Sequence, residues 1–284
     1  MRDISTPIMN TKKQILLTLL VATLAGATAS HAEELTAKDE FCSRSWDDFQ
    51  TRSQETYNHV GFDNSNGGLF NFALCLWHSR FQRNASYLAV FRPELQKPTA
   101  NEASKLIDQI YSKKKVVEIP GYSNLQEFST DFAPEIKKRL KESQKFDGLV
   151  RQTWINTLTG KTETDPEKLK ATLDDIYNEV MNLKRITYLK LKYTKFDIHA
   201  WLVVKMTVLP SPDEGYELDI IDSNFSGEIL KRTYRMGDKS LDLGYEIGNQ
   251  AAHLVPYVER QDEFKEYTKN IVKYCSGAKY HVIE

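Results

Sequence analysis

The sequence predicts an α+β fold in which helices come first and an antiparallel sheet follows. Two observations carry this. Between about residues 71 and 181, apolar residues recur at helical spacing between breaks rich in Pro, Gly and polar residues. Beyond residue 186, short alternating runs take over. They are separated by the turn-forming stretches Pro210-Ser211-Pro212-Asp213-Glu214-Gly215 and Ser226-Gly227. Helices first and a sheet later is an α+β arrangement.

Residues 33–66 read as polar and partly helical, running into a loop that contains Gly67-Gly68. A helix is expected over 71–90, with Asn71 as its cap. Most of its faces carry apolar or aromatic residues, including Phe72, Leu76, Trp77 and Phe81, so it belongs at the centre of the fold. Arg80 and Arg83 on the same helix need carboxylate partners if they are buried. Arg92-Pro93 breaks the chain, and a short amphipathic helix follows over 99–112. Val116 to Tyr122 reads as a strand entering a turn. Further helices are expected over 128–144 and 165–181, the second opened by Asp165-Pro166. Strands are expected over 186–193, 199–208, 215–221 and 229–234, and a last helix over 260–274. Residues 33–284 form one expected domain, with a mainly helical lobe (33–185) and a sheet lobe carrying the C-terminal helix (186–284).

Residues 1–32 have the pattern of an export signal. Arg2, Lys12 and Lys13 precede an apolar run from Ile15 to Ala27, and Ser30-His31-Ala32 offers small residues for cleavage. Export to the periplasm or the exterior is therefore expected, with no membrane span once the signal is removed. The formal net charge of −1 gives no polyanion signature, which argues against a nucleic-acid partner. No metal-ligand spacing, phosphate loop or dinucleotide fingerprint is present, so neither metal nor cofactor is expected.

An oxidising compartment permits disulfides, and the chain has three cysteines. The expected bridge is Cys42–Cys275, which ties the start of the mature chain to its last helix. Pairings that use Cys75, and a fully reduced chain, stay open. If the expected bridge forms, Cys75 is left as an odd thiol on an aromatic helix.

Cys75 then has the setting of a nucleophile, because a thiol near a helix N-terminus feels the positive end of the macrodipole. His199 opens a strand, where a side chain can project over the helix end as general base. Asp222, closing the next strand, can orient the imidazole, and the Asn224 amide can do so in its place. Trp201 lies on the same side of its strand as His199 and can shield the ring or wall a substrate site. His78, three residues from Cys75, suits a supporting role better than that of base. The oxyanion donors expected are the Cys75 N–H and either Asn71 or the 64–68 loop. Asn84-Ala85-Ser86 matches a glycosylation acceptor, but inside a helix it reads as chance.

His199-Ala200-Trp201 opening a strand, followed after a hairpin by Asp222-Ser223-Asn224, resembles the transglutaminase-like branch of the papain-like cysteine enzymes. The likeness covers about residues 64–225 and includes the Cys, His, Asp order. In that family the nucleophile begins its helix, with glycine and an aromatic residue close by. Here Gly67-Gly68 precede Cys75 by seven residues. The resemblance implies a papain-like α+β fold and acyl transfer on a peptide or protein amide, by hydrolysis or by transfer to an amine. The same residues also suit an exported binding or structural module that keeps this fold without turnover.

Overall fold

Two short helices, α1 (Ala37–Cys42) and α2 (Trp46–Arg52), begin the described part of the chain. The computed structural model describes residues 36–64, 74–147, 164–192, 198–210, 215–247, 250–258 and 262–278. The expected export signal, residues 1–32, lies outside the described residues, as do Asn71 and Gly67-Gly68. Both helices start on local chemistry. Thr36 accepts from the Asp39 N–H, and Ser45 and Asp48 form a reciprocal capping box.

Helix α3 (Cys75–Leu88) is the central element, and it is nearly all buried. The helix expected over 71–90 is shorter at both ends. Cys75 is its first residue rather than one turn inside. At the other end Ala89 leaves the helical region and begins β1 (Ala89–Arg92). Next come α4 (Ala100–Ser112), with a Thr99/Glu102 capping box, and β2 (Val117–Pro120), which pairs in parallel with β1. Gly121 ends β2 at φ +77°, and a Cβ there would lie 2.6 Å from the Lys97 backbone, so only glycine fits.

The helix expected over 128–144 is two helices, α5 (Leu125–Asp131) and α6 (Ala133–Phe146). Pro134 explains the break: it has no N–H to continue α5, but it suits the first turn of α6. Helix α7 (Pro166–Tyr177) is capped by Asp165 as expected, and it widens into a π turn at Asn178–Asn182.

The sheet holds β3 (Thr187–Lys192), β4 (Ile198–Val208), β5 (Gly215–Asp222), β6 (Leu230–Arg235), β7 (Leu241–Ile247) and β8 (Gln250–Val258). Its order is β6-β5-β4-β3-β8-β7, and every pairing is antiparallel. The last two strands go beyond those the sequence predicts. The sheet curls until its outer strands approach, and a Cβ on Gly244 of β7 would lie 2.6 Å from the Arg232 guanidinium carbon of β6. Helix α8 (Asp262–Cys275) is the last described element.

Strand alternation divides the interior into two cores. Ala200, Leu202 and Val204 of β4 join α3, α4, α6 and α8 in one core. Trp201 and Val203 face the other, with Leu189, Leu191, Leu218, Ile220 and the apolar side of α7. A bulge between Val203 and Lys205 shifts the register, and Met206 also packs into this second core. The architecture is thus mixed helix and antiparallel sheet, as the sequence predicts. Among the described residues no helix is long and apolar enough to cross a membrane.

Cys42 and Cys275 form a disulfide, the bridge expected from the sequence, which fastens α1 to the end of α8. A cross-link is most compatible with an oxidising compartment. The two arginines of α3 are ion-paired: Arg80 with Asp147 at 3.3 Å and Arg83 with Glu263 at 3.3 Å. Asn84 is buried; its amide donates to the Ile110 carbonyl and accepts from the Tyr267 hydroxyl, so it cannot serve as a glycosylation acceptor in the fold.

Candidate active site

Cys75 is the free cysteine and stands at the first position of α3. Leu74 occupies the cap position without a side-chain cap of its own. The Trp77 and His78 N–H groups donate to the Leu74 carbonyl, and the sulfur lies at the positive end of the helix dipole. In the thiol form, Cys75 Sγ donates to the Ile198 carbonyl at 3.4 Å. That contact brings the start of α3 against the start of β4, where His199 is the second residue.

His199 sits between sulfur and carboxylate. Its Nε2 is 2.7 Å from Asp222 Oδ1. The Cys75 sulfur is near enough to the ring to add to what favours its charged form. With Nε2 committed to Asp222, Nδ1 is the nitrogen left for that sulfur. Burial opposes a charged imidazole here. The Asp222 charge and hydrogen bond outweigh it, with help from Cys75, and His199 is pushed up to about 10. Burial likewise acts to raise Asp222, yet the His199 charge and donated hydrogen bonds hold the carboxyl below its ordinary value. Both shifts favour an imidazolium facing a carboxylate.

Two further donors hold Asp222. The Trp201 indole N–H donates to Oδ2 at 2.8 Å, and the Asn224 backbone N–H donates to Oδ1 at 2.9 Å. The register explains the first: Trp201 and Asp222 are direct partners across β4 and β5. Trp201 is fully buried in the second core, so it holds the carboxylate rather than walling an open cleft. The Asn224 side chain does not face the imidazole; its Oδ1 accepts from Asn64 Nδ2 at 3.1 Å.

His78 is one turn along α3 and does not act on the sulfur. Its Nε2–H donates to the Phe62 carbonyl at 3.0 Å, and burial pushes the imidazole down to about 4, so it is neutral. The ring fastens the preceding segment of chain to the helix. Asn71 lies outside the described residues. Asn64, counted in the sequence with the loop as an oxyanion donor, instead spends its amide on Leu74 and Asn224.

The site is closed: Cys75 is 2% exposed, His199 4% and Asp222 0%. Among the described residues no group of three or more His, Cys, Asp or Glu side chains is placed to hold a metal ion. The sulfur, imidazole and carboxylate together have the connectivity that activates a thiol for attack on a carbonyl. Comparison with family models, with curated proteins and with solved structures found no match.

Proposed function

We propose that this chain is an exported thiol acyl-transfer enzyme with a papain-like, transglutaminase-like fold. The observation that carries this reading is the His199 ring, held by the Asp222 carboxylate at 2.7 Å, with the Cys75 sulfur on the carbonyl of the neighbouring Ile198 at 3.4 Å. The odd cysteine at the first position of a helix and the disulfide between Cys42 and Cys275 also support it.

In this reading the imidazolium stabilises a thiolate on Cys75, which attacks the carbonyl carbon of a peptide or protein amide. The carbonyl π electrons move onto oxygen, and the Cys75 N–H, at the start of the helix, is one donor to that oxyanion. As the C–N bond breaks, His199 gives its proton to the departing nitrogen, and an acyl thioester remains on Cys75. His199 then takes a proton from water or from an amine, whose attack releases the acid or a new amide. Asp222 keeps the ring oriented throughout and balances its charge.

One observation favours a second reading. A sulfur only 2% exposed suits an exported binding or structural module that retains the site without turnover.

Iodoacetamide labelling of the full chain, with the disulfide intact, separates the two. The enzyme reading expects labelling of Cys75 alone, well below pH 8, at a rate at least tenfold above that of a small free thiol, and slowed by His199→Ala. Labelling no faster than the small thiol at every pH would leave the module.

A further inference from the structure

We infer that Asn64 is a positioning residue that sets the Cys75 helix start in register with the Asp222 turn; this rests on the acyl-transfer reading. The nucleophile and its partners come from elements remote in sequence, and one side chain bridges them. Asn64 Oδ1 accepts from the Leu74 N–H at 3.0 Å, directly before Cys75. Asn64 Nδ2 donates to Asn224 Oδ1 at 3.1 Å, and the Asn64 backbone N–H donates to the Ser223 carbonyl at 2.6 Å. Asn224 in turn donates its backbone N–H to Asp222 Oδ1, the oxygen that meets His199. A backbone N–H can only donate, so the Leu74 contact fixes which end of the Asn64 amide faces the helix.

The segment carrying Asn64 is itself anchored to α3. His78 donates to the Phe62 carbonyl, the Val60 N–H donates to Gln82 Oε1 at 2.6 Å, and Gln82 Nε2 donates to the Asn58 carbonyl at 2.8 Å. The Gly61 N–H donates to the Ser129 hydroxyl at 2.7 Å, and Asp63 accepts from the Ser226 N–H at 2.7 Å. Residues 58–64 thus form a strap between the α3 surface and the 222–226 turn. Asn64 is where the strap touches both the start of the helix and the turn. The role needs an acceptor and a donor on one short side chain. Alanine supplies neither, and aspartate keeps only the acceptor for Leu74.

The test is the pH profile of Cys75 alkylation by iodoacetamide in the full, disulfide-intact chain. Four variants are compared with wild type: Asn64→Ala, Asn64→Asp, Asp222→Asn and the Asn64→Ala/Asp222→Asn double. Asn64→Ala is expected to slow labelling at pH 6 at least tenfold and to shift the profile towards that of an ordinary thiol. Asn64→Asp should fall between alanine and wild type, and it carries the test if the alanine variant does not fold by near-UV circular dichroism. The double variant should be no slower than Asp222→Asn, because both changes act through one turn. An unchanged or faster Asn64→Ala, or a double variant slowed by the product of the two single effects, overturns the assignment. Slow labelling of wild type itself is a different failure, because it removes the acyl-transfer reading on which the assignment rests.

Discussion

Trp201 and Asp222 face one another as direct partners on β4 and β5, and the indole N–H donates to one carboxylate oxygen at 2.8 Å while His199 takes the other. The aromatic ring lies in the second core, beneath the Arg232 guanidinium carbon at 5.7 Å from its centroid. One side chain therefore couples the packing of the sheet interior to the orientation of the carboxylate. A buried carboxylate is costly unless donors surround it, and the antiparallel register supplies this one without any loop.

Trp201→Phe keeps most of the apolar volume and removes the donor. Hydrogen bonds to charged groups contribute about 1.5–3 kcal/mol, so a loss of about 2 kcal/mol is expected at pH 7. Urea unfolding checks it; an unchanged midpoint would show that the indole contact does not stabilise the carboxylate.

Asp222→Asn is expected to remove the charge that keeps His199 protonated. Since burial acts to lower the imidazole, His199 in the variant should become neutral at pH 7, whereas in the wild type it stays charged up to about 10. Imidazole nitrogen shifts from NMR report this directly. The linkage has a defined sign: a raised histidine contributes fully below its ordinary value of 6.5, and the contribution is lost as pH rises through about 10. Wild-type stability should decline across that window, and Asp222→Asn should flatten the decline.

His78 has the opposite sign. Burial favours its neutral form, so its contribution is present above 6.5 and is lost as pH falls towards about 4. A shift of that size corresponds to about 3 kcal/mol. Denaturant midpoints at pH 6.5 and 4.5 should fall more for wild type than for His78→Gln. An equal fall in both proteins would assign the acid sensitivity to other groups.

The disulfide spans a sequence separation of 233 residues. On the chain-entropy model, closing so long a loop contributes about 5 kcal/mol. Cys42→Ser/Cys275→Ser should therefore lose a large share of the stability of the chain in calorimetry or urea titration. A variant as stable as wild type would mean that packing of α1 on α8 suffices.

Much of the secondary structure is legible because its determinants are local. Thr99 with Glu102 and Asp165 with Pro166 mark helix starts within a single turn, and the alternation from His199 onward marks β4. Cys42–Cys275 was also legible, since the chain has only three cysteines, and the likeness carried by His199-Ala200-Trp201 and Asp222-Ser223-Asn224 pointed to the His199–Asp222 pair. The sequence misses β7 and β8: Gln250-Ala251-Ala252 has little strand character, and β8 is held by pairing with the distant β3. It misses the split at Phe132 because apolar spacing runs through it, whereas Pro134 decides the hydrogen bonding. No local pattern marks Asn64, whose partner Asn224 lies 160 residues away.

By itself, then, the sequence determined the order of helices and strands, which strand faces are apolar, and the set of chemically capable side chains. These follow from backbone propensity and periodicity, which act over a few residues. Only the tertiary structure decided that Asp222 rather than Asn224 meets His199, that His78 is neutral while His199 is charged, and that Trp201 serves the carboxylate. Those outcomes depend on burial and on charge separations of a few ångströms between elements far apart in the chain, and such distances exist only once the sheet has taken its register and α3 has packed against it.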